Sequence, residues 1–348
     1  MDYRYSGFNT DTPPDPFNFD IKGTRRHLSR LGLAIAVYLF VAIGLVLVSE
    51  IVISLIFQEG ALAILTSDLY IWLSQIIAMY VIAFPVFYLI TRGAPKKQRA
   101  KSKMDIEELV WLFFIAQLFG FIGSSVSSVI STFFTLVFGT QPQDGVSELI
   151  MNTPVWIIII VAVIIGPIFE ELIFRKILID SLSVYGERFA IVTTAVAFGI
   201  FHGNIEQLIY ATSLGLVFGY VYSVTRNIKY SIGLHIVFNF FGTVPAMLIS
   251  DSMELIASLP EQVLLNPEAL MGYMPELMAV YGYSIVQMAF LGFGIYFLVK
   301  AIKQKRFSPP CEVGVRIPRS EIAKTFVCPG VIAFLVVSVL QIVLNLIS

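Results

Sequence analysis

Six residues in one stretch of a 348-residue chain have the types and spacings of a hydrolytic centre. They are Glu170, Glu171 and Arg175 in GPIFEELIFR, His202 in AFGIFHG, and His235 and Asn239 in SIGLHIVFNFFG. Each lies in or beside an apolar run, where an ionisable group costs roughly 2.5 to 3.5 kcal/mol on insertion scales, so each is a functional candidate by default. Glu171 and Arg175 stand at i and i+4 on one helix face, which lets the guanidinium neutralise that carboxylate. Glu170 is turned by about 100° and has no cation four residues away in either direction. The pair therefore divides into a structural ion pair and a candidate general base. His235 and Asn239, also i and i+4, can aim an imidazole and a carboxamide at one reaction centre. Glu170, His202 and His235 together also have the composition of some hydrolytic zinc sites, although the HExxH spacing is absent. For any one of these residues a structural role explains as much; for the set on three neighbouring helices it explains less. His27, beside Arg25 and Arg26, reads instead as a solvated residue at the headgroup level.

The elements that position these residues are membrane helices. With 57% hydrophobic and 14% charged residues and a mean hydropathy of +0.82, the chain is not a soluble globular enzyme, for which about 25% charged residues is usual. A net charge of -1 argues against a nucleic-acid partner, whose phosphates need a concentrated basic surface. Cys311 and Cys328 are too few for a disulfide framework or a cysteine metal site. Nine apolar runs approach the roughly 20 residues a helix needs to cross a bilayer: Leu31 to Phe57, Leu69 to Ile90, Leu109 to Phe138, Val155 to Ile179, Phe189 to His202, Leu208 to Val224, Ser231 to Ile249, Val280 to Ile302 and Phe326 to Ile347. The fifth is short and the sixth marginal. The fold class is thus all-α and polytopic, with about nine spans. In this parse all 23 Lys and Arg fall on one side, which the positive-inside rule makes cytoplasmic, placing the N-terminus inside and the C-terminus outside a cell membrane, bacterial by expectation.

The parse divides the chain into a polar cytoplasmic tail (1–27, with no secretory signal), three peripheral helices (28–138), a core of four spans (139–250), an extracytoplasmic loop (251–279) and two last helices (280–348). Amphipathic helix is expected in that loop at MELIASL and EALMGYM. Gly215 and Gly219 form a GxxxG that reads as packing within the chain rather than a dimer seam. Oligomeric state is not legible.

At its six polar residues the chain resembles the CPBP family of intramembrane proteases, which includes the CAAX prenyl endopeptidases and bacteriocin-processing or immunity proteins. Glu170, Glu171 and Arg175 match the family's EExxxR, Phe198 and His202 its FxxxH, and His235 and Asn239 its HxxxN. The likeness covers roughly Val155 to Ile249; Lys176 stands where many members have Gly, at the expected cytoplasmic boundary. It implies a helical core around a membrane cavity and hydrolysis of a peptide or membrane-protein substrate within the bilayer. Glu170 would act as base with His202 on the water, His235 and Asn239 would hold the oxyanion, and Glu171 and Arg175 would fix the frame. A metal-free site is expected, zinc being the alternative. The rivals are a proton-coupled transporter with Glu170 as relay and a catalytically silent immunity or regulatory protein. One conflict stands: counted from the cytoplasmic ends at 1.5 Å per residue, His235 lies about 6 Å deep and His202 about 20 Å. Either the fifth helix starts inside the slab, near Tyr185 and Gly186, or the seventh starts earlier, near Arg226.

Overall fold

The computed structural model describes residues 20–97, 99–139, 145–307 and 317–347, and these contain helices and no strand. Apolar runs in hydrocarbon must satisfy their own backbone polar groups, and a helix does so within one segment. In chain order the long helices are α1 (Ile21–Phe57), α2 (Asp68–Thr91), α3 (Ile106–Phe138), α4 (Val155–Tyr185), α5 (Glu187–Phe201), α6 (Ile205–Thr225), α7 (Ile228–Leu248), α8 (Met274–Lys303) and α9 (Pro329–Ile347). Seven of the described helices are long and apolar enough to cross a membrane, and an eighth is counted if Arg319–Phe326 and Pro329–Asn345, bent by 65°, form one broken span. The expected nine is thus an approximate count. The shortfall falls on α5, whose 15 residues reach about 22 Å at 1.5 Å per residue.

The helix starts follow capping chemistry. Asp20 accepts from Gly23 N at 2.9 Å and begins α1 at Ile21, ten residues before the expected Leu31. Residues 1–19, most of the expected polar tail, and Cys311 lie outside the described residues. The early start corrects the reading of His27, which is buried, with its ring nitrogens 2.8 Å from Tyr185 Oη and 2.9 Å from Ser181 Oγ at the end of α4. Asn204 and Asn227 cap α6 and α7. Short helices at Ser250–Ser258 and Pro267–Leu270 occupy the loop before α8.

Small residues set the central packing. A Cβ at Gly199 on α5 would overlap Thr212 Oγ1 and the Leu208 carbonyl on α6, and one at Gly215 would stand 2.8 Å from Ala195 Cα. The GxxxG of α6 therefore seats α6 on α5 within this chain. One buried apolar cluster joins α1, α2, α4, α5 and α9, and a second joins α3, α6 and α7. Outward faces carry bare apolar side chains such as Phe40, Leu55, Leu136 and Met288, as a lipid-facing surface requires.

The basic connections meet at one end of the molecule. Arg30 Nε donates to Ile90 O (2.7 Å), Lys97 N to Asp180 O (2.8 Å), Ser102 N to Thr225 O (2.8 Å), and Tyr220 Oη to Arg306 O (2.9 Å).

Candidate active site

α4 carries the EExxxR residues between two wide turns. Its backbone is π-helical over Ile159–Ile165, α-helical over Gly166–Glu171 and π-helical again over Leu172–Ile179; such irregularities gather at functional sites. The first has a local cause. Gly166 N donates to Val161 O in the π register, and the next donor in that register, which would serve Ala162 O, is missing because residue 167 is proline. Asn239 Nδ2 from α7 donates to that carbonyl at 3.1 Å. The carboxamide thus supplies the bond that Pro167 withholds, a positioning role that the spacing of His235 and Asn239 did not reveal.

Glu171 is fully buried, and its Oε1 accepts from His235 Nδ1–H at 3.1 Å and lies 3.4 Å from Arg175 Nη1. The Arg175 side chain is 1% exposed. Its guanidinium has no hydrogen-bond partner among the described residues and lies instead over aromatic rings, 4.4 Å from the Phe198 centroid and 5.5 Å from that of Phe218. A buried cation is thus held by one carboxylate and two ring faces. The aromatic residue of FxxxH therefore has a physical reason to be there, since Phe198 covers Arg175 and meets His202 edge-on with centroids 4.7 Å apart.

Glu170 keeps 25% of its side chain exposed, and its Oε2 lies 3.7 Å from His235 Nε2. A Cβ at Gly166 would stand 4.0 Å from Glu170 Oε1 and 3.5 Å from Tyr80 Oη, so that glycine leaves room beside the carboxylate. His202 Nδ1–H donates to Phe198 O at 2.7 Å, which leaves Nε2 as its free nitrogen. The structure thus gathers Glu170, Glu171, Arg175 and His235 around Phe198 and Phe218, sets His202 edge-on against the Phe198 ring, and commits one N–H of Asn239 to the α4 backbone. Among the described residues no three His, Cys, Asp or Glu side chains gather in metal-holding geometry; the set Glu170, His202 and His235 is not assembled as a cation cage.

The conflict in depth is eased from both sides. α7 starts at Ile228 rather than Ser231, deepening His235 by about 4.5 Å. The first residue of α5, Glu187, is fully buried and ion-paired to Arg226, so α5 begins inside the protein. Sequence reasoning passed over this second polar cluster of Asp180, Glu187 and Arg226, because Arg226 was counted as a loop cation. The i, i+4 spacing of Lys176 and Asp180, which pair at 2.7 Å, was the available signal.

The sequence matches the family model "Type II CAAX prenyl endopeptidase Rce1-like" over residues 152–241, which spans α4 to α7. It is 30% identical over 165 residues to YdiL of Bacillus subtilis (strain 168), named as an inferred membrane peptidase, covering 47% of this chain and 67% of that protein. It is 27% identical over 135 residues to the membrane-embedded CAAX protease MroQ of Staphylococcus aureus (strain USA300), covering 36% of this chain and 55% of that one. No solved structure matches the chain significantly. With its motif residues gathered on α4, α5 and α7 inside the matched segment, the chain belongs to the CPBP family of CAAX-type membrane proteases.

Proposed function

We propose that the protein is an intramembrane endopeptidase in which Glu170 activates the water that cleaves a peptide bond. The observation that carries this reading is the asymmetry of the two adjacent carboxylates: Glu171 is buried and bonded, whereas Glu170 is partly exposed, with its Oε2 3.7 Å from His235 Nε2. A water bridging that gap would be oriented by both groups. Glu170 takes one proton from it as the oxygen adds to the scissile carbonyl, and later returns that proton to the leaving amine as the C–N bond breaks. His235, held by Glu171, and His202 present Nε2 to the developing charge; Nε2 accepts in the neutral ring and donates to the oxyanion only in the imidazolium form, and an oxyanion donor is commonly worth about 2.7 to 4 kcal/mol. Arg175 and Phe198 act through Glu171 and His202 as positioning groups. The substrate is a membrane-borne peptide or protein, and these side chains complete the proton cycle without a metal.

The test is cleavage of a membrane-anchored peptide library by the purified protein in proteoliposomes, before and after extended chelation. Turnover that survives chelation and vanishes in Glu170→Gln supports the proposal. Proton-coupled uptake without cleavage would replace it with transport, and loss on chelation with recovery on added zinc would make Glu170, His202 and His235 ligands.

A further inference from the structure

At the end where the basic connections meet, a cavity of about 390 Å³ opens between the segment after α2, the end of α4 and the end of α6. Seven of its fourteen lining residues are Lys or Arg, against a single acid, Asp180. Two carboxylates serve three of these cations. Asp180 pairs with Lys176 at 2.7 Å and Arg226 at 3.0 Å, while Glu187, behind the wall, pairs with Arg226 and with Arg99 at 3.3 Å. Arg92, Lys96 and Lys101 line the same cavity with no carboxylate partner among the described residues.

Two further observations point to a ligand. The Arg226 side chain is 3% exposed, yet its Nε has no hydrogen-bond partner among the described residues. Arg226 also adopts the left-handed conformation, with φ 50°, at a helix end where glycine would avoid strain. The fold therefore tolerates a costly backbone to keep a guanidinium on this wall. Tyr88, half-exposed in the last turn of α2, also lines the cavity, as an interfacial aromatic at headgroup level would. A carboxylate would balance only part of the surplus. A phosphate carries more charge and several acceptor oxygens that separate cations can share.

We propose that this cavity binds a phosphate group, supplied by the headgroup of an anionic phospholipid. The site lies apart from Glu170 and His235 and does not depend on the hydrolytic reading.

Native mass spectrometry of the purified full chain with dioleoyl phosphatidate, dioleoyl phosphatidylcholine and inorganic phosphate tests it. Wild type should retain phosphatidate over phosphatidylcholine, and Arg92→Gln/Lys96→Gln/Lys101→Gln should lose that preference, at about fivefold for each basic residue removed. Lys22→Gln/Arg26→Gln/Lys103→Gln, with the same charge change away from the cavity, should keep it. Equal loss in both triple variants would reduce the effect to diffuse charge and overturn the site, as would no loss in either. Inorganic phosphate that binds alone and displaces phosphatidate would uphold the site but make its source soluble. Lys96→Gln alone, with a melting temperature matching wild type, supplies the same comparison if the triple variant folds poorly.

Discussion

Glu171 is fully buried between Arg175 and His235, while its neighbour Glu170 keeps 25% of its side chain exposed. Removing the Glu171 charge strands a guanidinium that has no hydrogen-bond partner among the described residues. Glu171→Gln should therefore lose about 3 to 5 kcal/mol of stability, seen as a lower melting temperature in detergent. Glu170→Gln should melt like wild type and be inactive; the reverse pattern would mean the roles were assigned to the wrong carboxylates. Asn239 offers a finer test, because its contact with Ala162 O stands in for a missing backbone donor. Asn239→Ala should cost about 1 to 3 kcal/mol by leaving that carbonyl unpaired. Adding Pro167→Ala restores an N–H at the π-register position and should recover most of the stability. If turnover returns as well, the carboxamide acts only by positioning; if stability returns and turnover does not, Asn239 also faces the reaction. A melting temperature unmoved by Asn239→Ala would discard the argument.

The helices that carry the site meet through small residues, and substitutions there act on whole elements. Gly199 on α5 abuts Thr212 and Leu208 of α6, so Gly199→Val must push the two helices apart and displace His202, three residues on. Overpacking of this kind typically costs about 1 to 3 kcal/mol, and turnover should fall with it. Gly44→Ala, where nothing lies within 4 Å of the new Cβ, is the matched control and should be silent in both assays. The element scale also marks how far the sequence could be read. The long apolar runs and the i, i+4 spacing of Glu171 and Arg175 are local signals, and the helices and that pair follow from them. What escaped depends on partners distant in the chain. Nothing near Asn239 indicates that its partner is Ala162, 77 residues away. Nor does anything near His27 indicate Tyr185, 158 residues away. The early start of α1 turned on one capping aspartate outside the apolar run, and the π turns of α4 have no hydropathy signature.

For the molecule as a whole, the contacts that draw the connections after α2, α4, α6 and α8 to one end give the charge argument a spatial form. A cytoplasmic N-terminus and an extracytoplasmic C-terminus are expected from it. A C-terminal alkaline phosphatase fusion should be active and a C-terminal fluorescent protein dark; the opposite pair of results would require one fewer crossing, with α5 the first suspect. Ser258, in the helix Ser250–Ser258, should accept an impermeant label from outside intact cells once replaced by cysteine.

The shortness of α5 bears on how the chain enters the bilayer during synthesis. Fifteen residues cover about 22 Å of a slab near 30 Å, and the helix opens with a carboxylate whose buried counter-charge, Arg226, is 39 residues further along, Arg99 being a second and more exposed one. Alone at the translocon, such a segment has too little apolar length. α6 supplies what is missing, since its small residues receive the α5 face and Arg226 arrives at its end. Residues 187–226 are therefore expected to enter as one hairpin, the short segment bearing His202 integrating together with α6.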